Sequence, residues 1–351
     1  MRNVTGKDRS NDFLRNATHK TETPAKDRPM TRQLWDRMAS NRFAVLGRVG
    51  MDLYADPPGT RIEDATQFVG ALGGSAGNIA VALARQGALV SLISRVSDDA
   101  VGRYCVAELT RYGVDASHVR ASGGETRNSL AVTETRSNGC QTVLYRNGAA
   151  DFMLSLEDVA AVDYANIAAL VVTGTALATD PSRSATQDAM ARARLSGALV
   201  ILDIDHRAYS WVSLQEAAQV YQDAARTADI IIGNDEEFGL MAGGYDRGKA
   251  LARQLALGGA AFTVYKMGAE GSVTFTPDFS FQTPIFPVTA RKPMGAGDGF
   301  MGGLLAGLAQ GHSLEAAVRR GAATAAIIVA GIGCAPASPD RAAVDTFIAG
   351  Y

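Results

Sequence analysis

The stretch PMGAGDGFMGG, from Pro293 to Gly303, is built of small and apolar residues around one charge, Asp298. A helix is expected from about residue 296, so the N–H groups of Gly295, Ala296 and Gly297 find no partner within it. They form an anion hole at the positive end of the helix dipole. A carboxylate there would repel a phosphate that merely rests in the loop. It makes sense if the phosphoryl group is in transfer. Asp298 then accepts the proton of an attacking hydroxyl while the amides stabilise the transferring charge. On that residue alone a second reading stands level: Asp298 as a partner for the dipole.

Two other glycine-rich stretches compete for a phosphate. GGYDRGKA (243–250) matches the spacing of a P-loop. Its lysine is followed by Ala250, not by the Ser or Thr that would hold magnesium, and a helical segment precedes it, so chance explains it better. GGSAGNIAVALARQG (73–87) lacks GxGxxG and reads as a loop entering a helix capped by Ser75. Close packing accounts for its glycines, but Asn78 falls in the first turn, where a side chain can meet a ligand.

The elements that must hold these residues alternate. Apolar, β-rich runs at 43–49, 89–96, 169–177, 199–205, 229–234 and 262–268 read as strands buried on both faces of a parallel sheet. Helical patterns fall at 75–86, 98–112, 182–196, 212–227, 245–257, 296–310 and 314–331. The alternation predicts a doubly wound α/β sandwich with a mostly parallel central sheet. Residues 128–147 read as a hairpin turning at Ser137-Asn138-Gly139. Together with 51–70, which carries Pro57, Pro58 and Gly59, it is expected to leave the main sheet as a small β lid (about 51–70 and 126–148).

Composition excludes several classes. The 351 residues have net charge −2, which offers no basic face for nucleic acid. Three scattered cysteines give no disulfide or zinc pattern and fit a reducing cytoplasm. The four histidines are scattered too, against a His-based metal site. The uncharged runs 299–314 and 321–339 are Gly/Ala-rich, unlike the about 20 strongly apolar residues of a membrane span. They are expected as buried helices. Residues 1–42 are polar and lack a secretory h-region, so they are expected to be a flexible or loosely docked extension, with Met30 as an alternative start. One domain is expected over 43–351.

Three elements in order and spacing make the chain resemble the ribokinase, or PfkB, family of carbohydrate kinases over residues 43–340. They are Gly73-Gly74…Asn78, Asn234-x-x-Glu237, and Gly295-Ala296-Gly297-Asp298. The resemblance implies a ribokinase-like sandwich, ATP as donor, and Mg2+ organised near Asn234 and Glu237, with Glu237 reaching the metal directly or through water. It also implies Asp298 as base and Gly74 and Asn78 at the sugar. The family often has Asp-Thr before the GAGD run where this chain has Lys292-Pro293, which leaves a monovalent-cation role open. Segments 47–54, 142–151, 171–177, 202–211 and 331–339 are similar to the branch acting on deoxy-keto sugar acids. That implies a substrate phosphorylated at its terminal hydroxyl, 5-dehydro-2-deoxygluconate ahead of 2-keto-3-deoxygluconate.

The residues point to an acid independently. Asp52 follows the first strand and offers two acceptors to sugar hydroxyls. Arg146 ends a hairpin strand and Arg207 follows a strand's C-terminal end, where ligands of open α/β sheets sit. A guanidinium suits a carboxylate. KMGAEG (266–271) supplies Lys266, Gly268 and Gly271 for ATP, although a plain β-turn fits the same residues. The enzyme is expected to be a cytoplasmic homodimer. Readings from other classes are an inactive sugar-binding regulator on the same fold, and a Rossmann dehydrogenase, which the missing GxGxxG disfavours.

Overall fold

The structure, a computed structural model, describes residues 29–136, 139–290 and 295–351. The extension before residue 29, the turn pair Ser137-Asn138, and the Lys292-Pro293 departure lie outside the described residues.

The strands are β1 (Arg42–Leu46), β2 (Gly50–Asp56), β3 (Gln67–Gly73), β4 (Leu89–Ser97), β5 (Val119–Ser122), β6 (Leu130–Thr133), β7 (Thr142–Tyr145), β8 (Ala169–Thr173), β9 (Leu199–Asp203), β10 (Ile230–Asn234), β11 (Phe262–Lys266), β12 (Ser272–Phe275) and β13 (Ser280–Thr283). The helices are α1 (Pro29–Met38), α2 (Ser75–Arg85), α3 (Ala100–Arg111), α4 (Leu156–Ala160), α5 (Ser182–Leu195), α6 (Leu214–Thr227), α7 (Asp235–Ala242), α8 (Gly248–Leu257), α9 (Ala296–Ala309), α10 (Leu314–Ala330), α11 (Cys334–Ala337) and α12 (Arg341–Ala349).

A nine-stranded sheet runs β13-β12-β11-β10-β9-β8-β1-β4-β5. It is parallel from β5 to β11 and ends in an antiparallel hairpin, β12 and β13. β8 and β9 are buried at every residue because helices cover both sheet faces, which is why their sequences are apolar up to the last residue, Thr173 or Asp203. Alternate side chains feed two cores. Phe43, Val45, Val171 and Ile201 meet α2, α9 and α10 on one face. Ala44, Leu46, Leu170 and Val200 meet α5, α6, α7 and α8 on the other. The chain winds away from β1 in both directions, so the C-terminal ends of β1, β9, β10 and β11 open on a common crevice.

A second sheet, order β3-β2-β6-β7, stands apart from the first. The 128–147 hairpin appears in it as the antiparallel pair β6 and β7, with Thr133 opposite Thr142. The register Asp52–Ala131–Leu144 puts these three on one face, and Leu53–Val132–Val143 puts the neighbours on the other. The first face looks into the crevice. The second exposes Phe68, Val143 and Tyr145.

Two boundaries differ from expectation. The folded part begins before residue 43, because Leu34 and Met38 of α1 are buried in the main core. Helix α2 is capped by Gly74 without a side-chain hydrogen bond, and Ser75 is its first residue.

Candidate active site

Helix α9 starts from Gly295, whose φ of 87° lies in the left-handed region that glycine adopts without strain. A Cβ there would also stand 2.7 Å from the Cys334 Cβ. This helix start presents the first-turn amides of Ala296, Gly297 and Asp298 to a cavity of about 400 Å3. Asp298, in that turn, accepts a 2.7 Å hydrogen bond from Asn78 Nδ2 on α2. Its pKa is pushed up to about 6, first by burial and then by the charge of Asp205. The Asn78 hydrogen bond, Arg207 and Lys266 oppose the rise.

The cavity is walled by strand ends and the second sheet. Arg48, Asp52, Gly74, Asn78, Asp203, Asp205, Arg207, Tyr209, Asn234, Glu237, Lys266 and residues 295–298 all reach it. Asp52 Oδ2 accepts from the Tyr54 hydroxyl at 2.9 Å. Asp52 Oδ1 and Asn78 Oδ1 are buried without a protein partner, two acceptors waiting for donors. Lys266 ends β11, and a Cβ on Gly297 would lie 3.3 Å from its Nζ. The ammonium therefore stands over the anion hole.

Asn234 and Glu237 form a capping box at the start of α7. Glu237 N donates to Asn234 Oδ1 at 2.8 Å, and Asn234 N donates to Glu237 Oε2 at 2.7 Å. His206 N donates to Glu237 Oε1 at 3.1 Å. Each carboxylate oxygen thus already accepts one amide. Burial raises the Glu237 pKa, against the nearby Lys266 charge. Asp203 is raised well above the usual range, again by burial. Asp205 is lowered despite burial, chiefly by the Arg207 guanidinium. Among the described residues no cluster of three or more His, Cys, Asp or Glu is arranged to hold a metal.

A second cavity, about 500 Å3 and lined by Ile285, Phe286, Phe300 and Ala325, adjoins the first. Gly268 and Gly271 lie on its rim, in a turn closed by Met267 N donating to Gly271 O at 2.8 Å. The two cavities share Lys266, Ala296 and Gly297. A polar chamber and an apolar slot therefore meet at the anion hole, with Asp298 on the polar side.

Arg146 is the expected site residue that the structure does not bring to this crevice. It is buried with its guanidinium on Asp151, with Nε donating at 3.0 Å. Nη2 also donates to Thr175 O at 3.1 Å and Nη1 to Ser210 Oγ at 3.3 Å, while Phe152 stacks 4.1 Å from its Cζ. Its donors are spent inside the protein. Arg207 does reach the crevice, but its Nη2 lies 2.7 Å from Asp205 Oδ1.

The sequence reading missed Arg48, Asp203, Asp205 and Tyr209. The signal was present in LDIDHR, where acids at alternate positions close an apolar strand. Asp205, with φ of 37°, is a non-glycine residue in left-handed backbone, a strain that clusters at functional sites.

A family model described as pfkB family carbohydrate kinase matches residues 40–341. The chain is 41% identical over 309 residues to a 5-dehydro-2-deoxygluconokinase of Photobacterium profundum, covering 87% of this chain and 93% of that protein. It is 35% identical over 319 residues to one of Geobacillus kaustophilus, covering 90% and 95%. Among solved structures, a double mutant of the Vibrio cholerae fructokinase with fructose, ADP and potassium ion bound superposes with a TM-score of 0.77. It is 26% identical, over 88% of this chain and 98% of that one.

Proposed function

The chain belongs to the pfkB family of carbohydrate kinases, and from that premise we propose that it transfers the γ-phosphoryl group of ATP to the terminal hydroxyl of 5-dehydro-2-deoxygluconate. The observation that carries this reading is the meeting of a polar chamber and an apolar slot at one helix N-terminus beside a partly buried carboxylate. Substrate and donor then approach from opposite sides of the anion hole. The names of the relatives at 41% and 35% identity support the choice of acid.

The sugar lies in the polar chamber. Its hydroxyls donate to Asp52 Oδ1 and Asn78 Oδ1, with Gly74 close to the ring. The reacting hydroxyl gives its proton to Asp298, which the Asn78 amide holds in place. ATP occupies the apolar slot, its base over the Gly268–Gly271 turn and its phosphates toward Asn234. Lys266 and the amides of Ala296 and Gly297 receive charge on the transferring group. Mg2+ would neutralise the phosphate oxygens. With both Glu237 oxygens already accepting amides, that residue would serve a bound metal through water, in keeping with magnesium's retention of its waters. The second sheet is the lid that excludes water, and its apolar outer face is the homodimer surface of a cytoplasmic enzyme. Among the described residues no helix is long and apolar enough to cross a membrane.

Asp298→Asn tests the assignment. The variant should lose about 10²–10⁴-fold in kcat, the range for a general base, while ATP and sugar still bind by calorimetry. Near-normal kcat would remove Asp298 from the chemistry.

A further inference from the structure

Two arginines, Arg48 and Arg207, line the sugar end of the crevice and a third, Arg146, lies outside it; they differ in what already neutralises them. Arg146 is saturated by Asp151. Arg207 is paired with Asp205 and also donates to the carbonyl of His206 at 2.9 Å. A carboxylate meeting Arg207 therefore meets the negative charge of Asp205 as well. Arg48 is different. Its Nη1 donates to the neutral Ser129 Oγ at 3.1 Å, and among the described residues it forms no ion pair. It is partly buried and lines the chamber.

The backbone aims it there. Arg48 sits just past the end of β1, and its carbonyl accepts from Gly77 N of α2 at 3.2 Å. Helix α2 can come this near because Gly74 has no side chain: a Cβ there would be 2.5 Å from the Arg48 carbonyl oxygen. The hydrogen bond to Ser129, just before β6, ties the guanidinium to the base of the second sheet. Its field is felt across the chamber, helping to lower the pKa of Asp205 and opposing the rise at Tyr209. A partly buried guanidinium with no carboxylate in contact is costly. It gains most from an anion that can face its fork of donors.

We infer that Arg48 is the specificity-determining residue that receives the carboxylate of the acid substrate, in the place sequence reasoning gave to Arg146. This rests on the acid-substrate reading above. Arg207, neutralised by Asp205, contributes orientation at the mouth of the chamber.

The test compares wild type, Arg48→Met, Arg48→Lys and Ser129→Ala on 5-dehydro-2-deoxygluconate and on its uncharged methyl ester, with kcat and KM taken separately. Arg48→Met should raise KM for the acid by roughly 10–150-fold, the range for losing a charge-assisted hydrogen bond. It should leave KM for the ester nearly unmoved. Arg48→Lys should recover part of the loss, because it keeps the charge without the fork. Ser129→Ala keeps the charge but frees it, and should raise KM for the acid alone. This variant decides the matter should Arg48→Met not fold. If wild type prefers the acid and the Arg48 and Ser129 variants weaken acid and ester equally, the role of Arg48 is overturned and the substrate reading stands. If wild type shows no preference for the acid over the ester, the substrate reading falls, and the Arg48 role falls with it.

Discussion

Replacing Asn78 by leucine should move the pH dependence of the enzyme and not only its rate. Asn78 Nδ2 donates at 2.7 Å to Asp298 Oδ2. That bond favours the ionised carboxylate, and it is the first influence opposing the rise of the Asp298 pKa to about 6. The base must be ionised to take a proton, so kcat/KM for wild type should fall as pH drops through about 6. Removing the donor withdraws support from the charged form alone, so the pKa must rise further. A hydrogen bond to a charged group contributes about 1.5–3 kcal/mol, and one pKa unit is 1.36 kcal/mol, so a shift of about 1–2 units is the bare expectation. The cavity is open to water, which will replace part of the lost bond, so the lower end applies: an acid limb near pH 7. The assay is ADP release coupled to NADH oxidation between pH 5 and 9, with coupling enzymes in excess. Lost sugar contact at Asn78 Oδ1 lowers the whole curve without moving its limb. A variant whose limb stays near pH 6, however low its plateau, would show that Asn78 does not tune the base.

Arg146→Met should lower stability by about 3–5 kcal/mol in urea unfolding, because it strands the buried Asp151 carboxylate. Preference for acid over ester should survive, and loss of that preference at unchanged stability would return Arg146 to the substrate site. A chain beginning at Met30 should keep its melting temperature and turnover. One beginning at Phe43 removes Leu34 and Met38 from the core and should lose at least about 2–5 kcal/mol, the usual cost of emptying one large apolar site. Equal melting temperatures for the two chains would show that α1 adds nothing.

Burial made much of the fold legible. Strands covered on both faces must be apolar throughout, so β8, β9 and β10 stand out in the sequence. β12 and the edge strand β13 are only four residues each and mix Ser and Thr with their apolar residues, and they went unseen. Helix α7 is legible as the helical segment before GGYDRGKA, but its start is not: Asn234-x-x-Glu237, read for its chemistry, is also the reciprocal cap that begins it. Chemistry concentrated in one loop was readable, since the anion hole and Asp298 are contiguous. Charge pairing was not. Nothing in the spacing of Arg146 and Asp151 says that the chain doubles back through a 3-10 turn at 150–153 to join them. Arg48 was passed over for the converse reason, because a lone arginine in a turn gains meaning only when it is seen to line the chamber with no carboxylate in contact.

The central claim is phosphoryl transfer from ATP to a sugar acid. Its most direct measurement is kcat/KM of the purified protein for 5-dehydro-2-deoxygluconate, fructose and ribose, with the product of the best substrate identified by phosphorus NMR. The account predicts that the acid is preferred by at least about tenfold, one charge-assisted contact's worth, and that its product is a phosphomonoester on the terminal carbon. Preference for fructose or ribose, or phosphate on another oxygen, would contradict it.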